Sequence, residues 1–114
     1  MADCIFCRII ARQLPCNVIH EDERILAFRD INPQAPTHVL IVPKKHIAKL
    51  TDLTDGDMPL VIDCTRVANQ LARQEGIAET GFRLLVNCGA GAGQSVWHIH
   101  YHLLGGRPLH WPPG

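Results

Sequence analysis

The sequence has no net charge and few aromatic residues. Its 11 Lys and Arg balance 11 Asp and Glu, and aromatic residues make up 5% of the chain. Proteins that bind nucleic acid through bulk charge need a clustered excess of basic side chains, so the composition argues against that class. Long hydrophobic runs are also missing: a stretch such as residues 39–42 is far shorter than the roughly 20 apolar residues that cross a bilayer. We therefore expect neither a nucleic acid nor a membrane as partner.

The cysteines do not form an even set. There are five of them, whereas an oxidised, secreted framework normally has an even number. The N-terminus shows no basic stretch followed by an apolar one, which a secretory signal peptide would have. These two observations favour a reducing, cytoplasmic location. With 46% hydrophobic residues among 114, the chain is long enough to fold as a single domain over residues 1–114.

One long helix is the clearest local prediction. Apolar residues recur between Leu60 and Leu71 with the spacing of one helical face. Asp57 is the predicted N-cap, because it places Pro59 in the first turn, where a missing N–H costs nothing. Gly76 is the predicted residue just beyond the helix end. A shorter helix is expected within residues 4–13.

The remaining apolar segments are short and are typical of strands, which are predicted over residues 18–20, 25–28, 38–42, 82–86 and 97–104. The last two are joined by a loop too short for a crossover helix, so they are expected to pair as an antiparallel hairpin. The sequence therefore predicts an α+β fold with an antiparallel sheet of about five strands, one long helix and one short helix.

Three histidines, His98, His100 and His102, alternate with apolar or aromatic residues. On a strand, this spacing points all three imidazoles to one face. Two chemistries are open. In the first, the histidines bind a catalytic metal, with His38 as a further candidate ligand and one position left for water. In the second, a neutral imidazole attacks phosphorus, which its ordinary pKa of about 6.5 permits near neutral pH.

A glycine-rich loop, residues 87–95, comes directly before these histidines. Gly89, Gly91 and Gly93 allow positive φ angles and a close approach of main-chain N–H groups to an anion. The loop is neither a dinucleotide fingerprint nor a P-loop, because a strand follows it and Gly-Lys-Ser/Thr is absent. Beside three histidines, it predicts a phosphate-binding loop.

The run from His98 to Leu104 resembles the His-φ-His-φ-His-φ-φ signature of the histidine triad (HIT) superfamily. Shorter motifs are similar to its Hint branch, the purine nucleoside phosphoramidases: Asp30-Ile31, Pro36-Thr37-His38, Gly93-Gln94-Ser95-Val96 and the ending from Gly105 to Gly114. The resemblance implies a HIT-like fold and a homodimer whose sheets join edge to edge. It also implies that the tail around Trp111 reaches toward the partner's site.

The activity that the resemblance implies is hydrolysis of the P–N bond of adenosine or guanosine 5′-monophosphoramidates, and of aminoacyl- or lysyl-adenylate-like substrates. The reaction passes through a nucleotidyl-histidine intermediate and needs no cofactor. His100 matches the nucleophile and His102 the phosphate contact. His38 and His98 match the proton and hydrogen-bond network, and Ser95 lies near the leaving group. The other nucleotide-binding positions implied are Phe6, Asp30, Ile31, Asn87, Gly93 and Gln94.

A second site is suggested by Cys4-x-x-Cys7, which opens the short helix rather than following a strand. Some HIT proteins bind a structural zinc through such a pair, and their remaining ligands match His46 and His98. Two thiolates and two imidazoles would complete a tetrahedral shell. The resemblance therefore implies a structural zinc site.

Three other functions stay open on the sequence. One is a dinucleoside polyphosphate hydrolase or nucleotidyl transferase of the same superfamily. Another is a metal-dependent hydrolase with His98, His100 and His102 as ligands. The third is a nucleotide-sensing interaction module.

Overall fold

A five-stranded antiparallel sheet carries a helix on each face in the computed structural model, which describes residues 3–114. The first two residues of the predicted domain lie outside that range. The elements in chain order are α1 (Ile5–Ile10), β1 (Val18–Glu21), β2 (Ile25–Arg29), β3 (Thr37–Pro43), α2 (Met58–Gln74), β4 (Phe82–Val86) and β5 (Tyr101–Gly105). Short 3₁₀ turns occupy Leu50–Asp52, Asp55–Asp57 and Ala90–Ala92. The predicted α+β architecture is confirmed.

The strands lie in the order β1-β2-β3-β5-β4, and all neighbours are antiparallel. Alternate residues of the central strands face opposite layers, as the period of two requires. Val39 and Ile41 pack against α2 in the larger core, whereas Leu40 and Val42 join Phe6 of α1 in the smaller one. In the β3–β5 register, Leu40 lies opposite His102. The site histidines therefore lie on the α1 side of the sheet.

The ends of α2 agree with the sequence pattern except for the N-cap side chain. Pro59 lies in the first turn. Gly76 has a φ of 74°, and the N–H of Ile77 donates to the carbonyl of Ala72 at 3.0 Å, which is a Schellman ending. Asp57 precedes the helix, but its carboxylate does not cap it. No helix within residues 3–114 is long and apolar enough to span a membrane.

The carboxylate of Asp57 is engaged outside α2. Its Oδ2 accepts the N–H and the hydroxyl of Thr54, both at 3.0 Å, and its Oδ1 accepts from Lys45 Nζ at 2.6 Å. These donors satisfy both oxygens. The side chain therefore closes the preceding 3₁₀ turn and is not available to the first turn of the helix.

Strand β5 starts later than the sequence predicts, at Tyr101 rather than at residue 97. The register of β3 against β5 would place Ile99 opposite Pro43, and proline has no N–H for the ladder. The N–H of Ile99 donates instead to the carbonyl of Ile47 at 2.8 Å. His98 and His100 consequently precede the strand, in a bent segment. The short helix is also shorter than the predicted range of residues 4–13. It ends at Ile10, and Arg12 has a φ of 61°, which is outside the helical region.

Candidate active site

Two of the three histidines, His100 and His102, line a cavity of about 490 Å³ on the α1 side of the sheet. His98 is completely buried and is absent from the cavity wall. The His98 ring nevertheless packs against Phe6 of α1 at 6.0 Å, while Ile99 and Tyr101 join the α2 core. The predicted alternation is therefore present, and His98 lies on the α1 side but outside the cavity wall. The cavity wall also includes Phe6, Phe28, Asp30, Ile31, Leu40 and Ser95.

The ring of His100 is oriented by the main chain. Its Nδ1 lies 2.8 Å from the carbonyl oxygen of His98, and a carbonyl can only accept, so Nδ1 carries the proton. The opposite nitrogen, Nε2, then bears a lone pair. Burial lowers the pKa of His100, an effect opposed by the bond to His98 and by the charge of Asp30. The ring is therefore neutral at pH 7 and has the form that a nucleophile needs.

A chain of hydrogen bonds also fixes the tautomer of His102. The main-chain N–H of Gln34 donates to His38 Nδ1 at 3.0 Å, so the proton of His38 lies on Nε2. That nitrogen is 2.9 Å from His102 Nδ1 and 3.4 Å from Asp30 Oδ2. His102 Nδ1 therefore accepts, and its own proton lies on Nε2.

The resulting N–H of His102 has no partner in the described chain, although the nitrogen is buried. A buried donor without an acceptor costs about 1–3 kcal/mol. Burial, together with the nearby His100 and His38, lowers the pKa of His102 to about 4 against the opposing charge of Asp30. The site thus combines a neutral, unsatisfied N–H on His102 with a free lone pair on His100, in two rings whose centroids are 5.0 Å apart. This combination suits an anionic oxygen bound to phosphorus.

Four N–H groups of the glycine-rich loop bond within the loop and are not free for an anion. Ala92 and Gln94 donate their N–H groups to the carbonyl of Gly89, and Gly93 donates to the carbonyl of Ala90, at 3.0–3.2 Å. The N–H of Gly89 donates to Gln94 Oε1 at 2.9 Å. These N–H groups stabilise the loop itself, because they form the hydrogen bonds around its 3₁₀ turn and the bond to the Gln94 side chain. The N–H of Gly93, a predicted phosphate contact, is therefore already bonded within the loop.

Gln94 has a different place from the one that the resemblance implies. Its side chain is buried, and its Nε2 donates to the carbonyls of Ala48 at 2.7 Å and Val96 at 3.1 Å. Since Oε1 is also bonded, Gln94 supports the loop and does not face a nucleotide. Asn87 is likewise absent from the cavity wall. Of the predicted phosphate-side residues in this segment, Ser95 lines the cavity.

Phe6, Asp30 and Ile31 are gathered at the cavity as predicted. Phe6 is buried, with its ring edge-on to His100 at a centroid distance of 5.0 Å, so it supports the His100 ring and also forms part of the cavity wall. Ile31 is 98% exposed, which leaves an apolar side chain free to cover a ligand. Sequence reasoning missed Gln34, because its contribution comes from a main-chain N–H, which carries no side-chain signal.

A second group of side chains that could bind a metal includes His98. We call Cys4, Cys7, His46 and His98 the thiol–imidazole centre; their ligand atoms lie within 4.8 Å of one another. His98 Nδ1 is 3.4 Å from Cys4 Sγ and 3.6 Å from Cys7 Sγ, and His46 Nδ1 is 3.3 Å from Cys7 Sγ. This is the set that the family resemblance implied.

The donor atoms of this centre fit a tetrahedral zinc ion. His98 Nε2 donates to the carbonyl of Pro43 at 2.7 Å, which leaves Nδ1 unprotonated and directed at the sulfurs. Burial and the neighbouring Cys4 sulfur raise the pKa of Cys7 to about 11. A metal would replace the thiol protons, as zinc does when it binds cysteine. Two sulfurs and two imidazoles are a structural rather than a catalytic ligand set.

The arrangement does not support a catalytic metal held by His98, His100 and His102. Within residues 3–114, that trio is not among the sets whose ligand atoms converge. A second convergent set consists of Asp30, His38 and His102. His38 is a poor ligand there, because Nδ1 accepts from Gln34 and a neutral imidazole must then keep its proton on Nε2.

Comparison with known proteins agrees with this geometry. Residues 11–109 match the HIT domain family. The crystal structure of a HIT family hydrolase from Legionella pneumophila Philadelphia 1 is 54% identical, with a TM-score of 0.97 over 98% of this chain and 100% of that chain. A 14 kDa zinc-binding protein of Zea mays is 48% identical over 112 residues, which span 96% of this chain and 87% of the plant protein. A histidine triad nucleotide-binding protein from Candida albicans is 34% identical, with a TM-score of 0.82 over 96% and 83% of the two chains. On its sequence and its fold, the chain belongs to the HIT domain family.

Proposed function

We propose that this protein is a purine nucleoside phosphoramidase of the Hint type, which hydrolyses the P–N bond of adenosine or guanosine 5′-monophosphoramidates. One observation supports the proposal: the rings of His100 and His102 line one cavity with their centroids 5.0 Å apart, His100 with a free lone pair on Nε2 and His102 with an unsatisfied N–H. A phosphoryl centre needs both, because it is attacked by a base and develops charge on its oxygens. Aminoacyl- and lysyl-adenylates, which share the nucleotidyl group, are further substrates of the same class.

The reaction divides into two displacements. In the first, the lone pair of His100 Nε2 forms a bond to phosphorus while the P–N bond to the amine breaks. The electron pair stays on the amine nitrogen, which takes up a proton from solvent by way of the Ser95 hydroxyl and leaves. In the second, water attacks phosphorus and releases a proton to solvent, the electron pair of the bond to phosphorus returns to His100 Nε2, and the nucleoside monophosphate departs with its new oxygen. The N–H of His102 donates to a non-bridging oxygen throughout.

The rest of the cavity suits the nucleoside. Phe6 and Ile31 supply apolar surface for a purine, and Asp30 has a carboxylate for the ribose hydroxyls. Asp30 Oδ1 already accepts from the N–H of Asn32 at 2.8 Å, so its orientation is fixed before a ligand binds. Ser95 is exposed on the cavity wall, where its hydroxyl can reach the amine that leaves.

Zinc in the thiol–imidazole centre is part of the proposal. The sulfur and nitrogen positions described above support it, and the zinc-binding name of the Zea mays relative agrees with it. The ion would hold the chain together there and take no part in the phosphoryl transfer, because none of the four ligand atoms is among the reacting groups. We also propose a cytoplasmic location, which suits five free thiols.

The nucleotidyl-histidine intermediate is the most direct test. Rapid quench of wild-type protein with an adenosine phosphoramidate should give an intact-mass increase of one adenylyl group, mapped to His100. His100→Gly should abolish the adduct and the turnover and still bind adenosine monophosphate. Turnover retained in that variant would contradict the assignment.

A comparison of substrates distinguishes a Hint-type phosphoramidase from the alternative functions. We expect kcat/KM for adenosine and guanosine phosphoramidates to exceed that for a dinucleoside polyphosphate. The reverse order would indicate the dinucleoside polyphosphate hydrolases instead, and binding without turnover of either would indicate a nucleotide-sensing module.

A further inference from the structure

The short helix α1 is attached to the sheet through its N-terminal turn. Cys4 is its N-cap, and the N–H of Cys7 donates to Cys4 Sγ at 3.4 Å. Both sulfurs then contact His98, 94 and 91 residues further along the chain. A helix of six residues is not stable alone, so the position of α1 depends on what holds this turn.

The same turn forms part of the nucleotide cavity. Phe6 lies between the two cysteines in sequence, and its ring packs edge-on against His98 at 6.0 Å and His100 at 5.0 Å. Ile5 and Ile9, also in α1, line the cavity. A shift of α1 therefore changes the cavity wall and the packing of the nucleophile together.

His98 connects the thiol–imidazole centre with the nucleophile by a second route. Its Nδ1 faces the sulfurs, and its carbonyl oxygen accepts the Nδ1 proton of His100 at 2.8 Å. The side chain is fully buried and its Nε2 is bonded to Pro43, so it has no freedom to move alone. Whatever fixes His98 at the sulfurs also fixes the tautomer of His100.

From these contacts we infer that zinc binding at the thiol–imidazole centre and nucleotide binding in the cavity are energetically coupled, with α1 and His98 as the connection. Ligation of Cys4, Cys7 and His98 holds both walls of the cavity in place before the nucleotide arrives. A bound nucleotide, packed against Phe6, holds the cysteines together in return. The inference rests on the proposed function, since it requires that the cavity bind a nucleoside monophosphate.

Coupling between two binding sites is reciprocal. Each ligand must change the affinity for the other by the same factor, typically about 5–150-fold. The dissociation constant of adenosine monophosphate is measured by calorimetry on zinc-loaded and chelator-stripped protein. The affinity for Zn²⁺ is measured by competition with a chromogenic chelator, with and without saturating adenosine monophosphate. We expect both affinities to rise by one common factor of at least about fivefold.

Three variants test whether α1 connects the thiol–imidazole centre with the cavity. Cys7→Ser should give the nucleotide affinity of stripped wild-type protein, whether or not Zn²⁺ is added. Phe6→Leu keeps all four ligands, so it should retain Zn²⁺ affinity in the absence of nucleotide and show a smaller coupling factor. Cys64→Ala, which removes a thiol from the α2 core, is the matched control and should keep the full factor. Circular dichroism and thermal unfolding confirm that each variant is folded.

The outcomes separate this inference from the proposed function. If phosphoramidates are hydrolysed and Zn²⁺ binds, but neither affinity depends on the other ligand, the coupling is refuted and the proposed function stands. If the protein binds no Zn²⁺, the coupling is likewise refuted alone. If no nucleotide binds in either metal state, the proposed function fails and the coupling fails with it.

Discussion

Three atoms of His98 each have their own partners. Nδ1 faces the two sulfurs, Nε2 donates to Pro43, and the carbonyl oxygen accepts from His100. The sequence pattern that singles out His98 as one of three equivalent imidazoles therefore hides its actual position. The middle and last histidines contact the cavity, whereas the first orients its neighbour.

The tautomer of His102 leads to a prediction about His38. His38→Phe removes the N–H that donates to His102 Nδ1, so the His102 proton is no longer confined to Nε2. We expect kcat/KM for an adenosine phosphoramidate to fall by about 10²–10³-fold, the usual cost of losing one oriented donor to a developing anion. The dissociation constant of adenosine monophosphate should change much less.

A matched control is His20→Phe, because His20 lies on β1, bonds Asp22 at 2.7 Å and is absent from the cavity wall. It should leave kcat/KM within about twofold of wild type, as expected of a surface change away from the site. Equal losses in the two variants would show that the His38 result reflects general damage to the fold.

At the scale of elements, the turn before α2 depends on an ionised carboxylate. The Lys45 ammonium and the two Thr54 donors lower the pKa of Asp57 from its ordinary 3.8 to about 2. Because the pKa is lower in the folded state, the stabilisation is complete above about pH 4 and is lost as pH falls toward 2. Urea midpoints measured from pH 6 to pH 2 should fall more steeply in wild type than in Asp57→Asn.

Asp55→Asn changes an exposed carboxylate of the same turn and should keep the wild-type slope. The interpretation is contradicted if Asp57→Asn retains the wild-type pH dependence.

The contact between β5 and the end of α2 leaves no room for a side chain at Gly105. A Cβ there would lie 2.6 Å from Ile77 Cδ1 and 3.1 Å from Ile77 Cβ. Gly105→Ala should therefore lower the free energy of unfolding by about 1–3 kcal/mol, the usual cost of overpacking. Gly91→Ala is the control, because nothing lies within 4 Å of its Cβ position. Similar thermal midpoints for the two variants would disprove the close contact.

The elements were largely predictable and the contacts among them were not. The spacing of Leu60 to Leu71 and the alternation of β3 depend on local periodicity, which the sequence displays directly. The late start of β5 depends on Pro43, more than 50 residues earlier in the chain, whose missing N–H ends the ladder. The hydrogen bonds of Gly89 and Gly93 were unpredictable for a related reason, because their N–H groups bond to Gln94 and within the loop. Such hydrogen-bond pairings depend on the whole fold, so no local sequence pattern predicts them.

At the scale of the whole molecule, β4 is an edge strand with every residue half-buried. Phe82, Leu84 and Val86 pack toward the α2 core, so Leu85 faces the other way. An unprotected edge can pair with a second copy, and we propose the homodimer that the family resemblance implies. Sedimentation should give twice the chain mass of 12.7 kDa.

Leu85→Lys would bring two like charges together across the two-fold axis of such a dimer. We expect its dimer dissociation constant to rise at least tenfold, which corresponds to about 1.4 kcal/mol. Glu79→Lys, an exposed change in the preceding turn, should sediment as wild type does. A wild-type monomer at micromolar concentration would refute the dimer.

The pairing of Leu40 with His102 has a consequence for how the protein tolerates mutation. A slip of one residue between β3 and β5 would turn His102 toward α2 and put Leu103 into the cavity, since side chains alternate along a strand. A chain with this register shift would lose both the packing of its hydrophobic core and the placement of His102 in the cavity. Screens for catalytic turnover and screens for thermal resistance should therefore reject the same substitutions along these two strands.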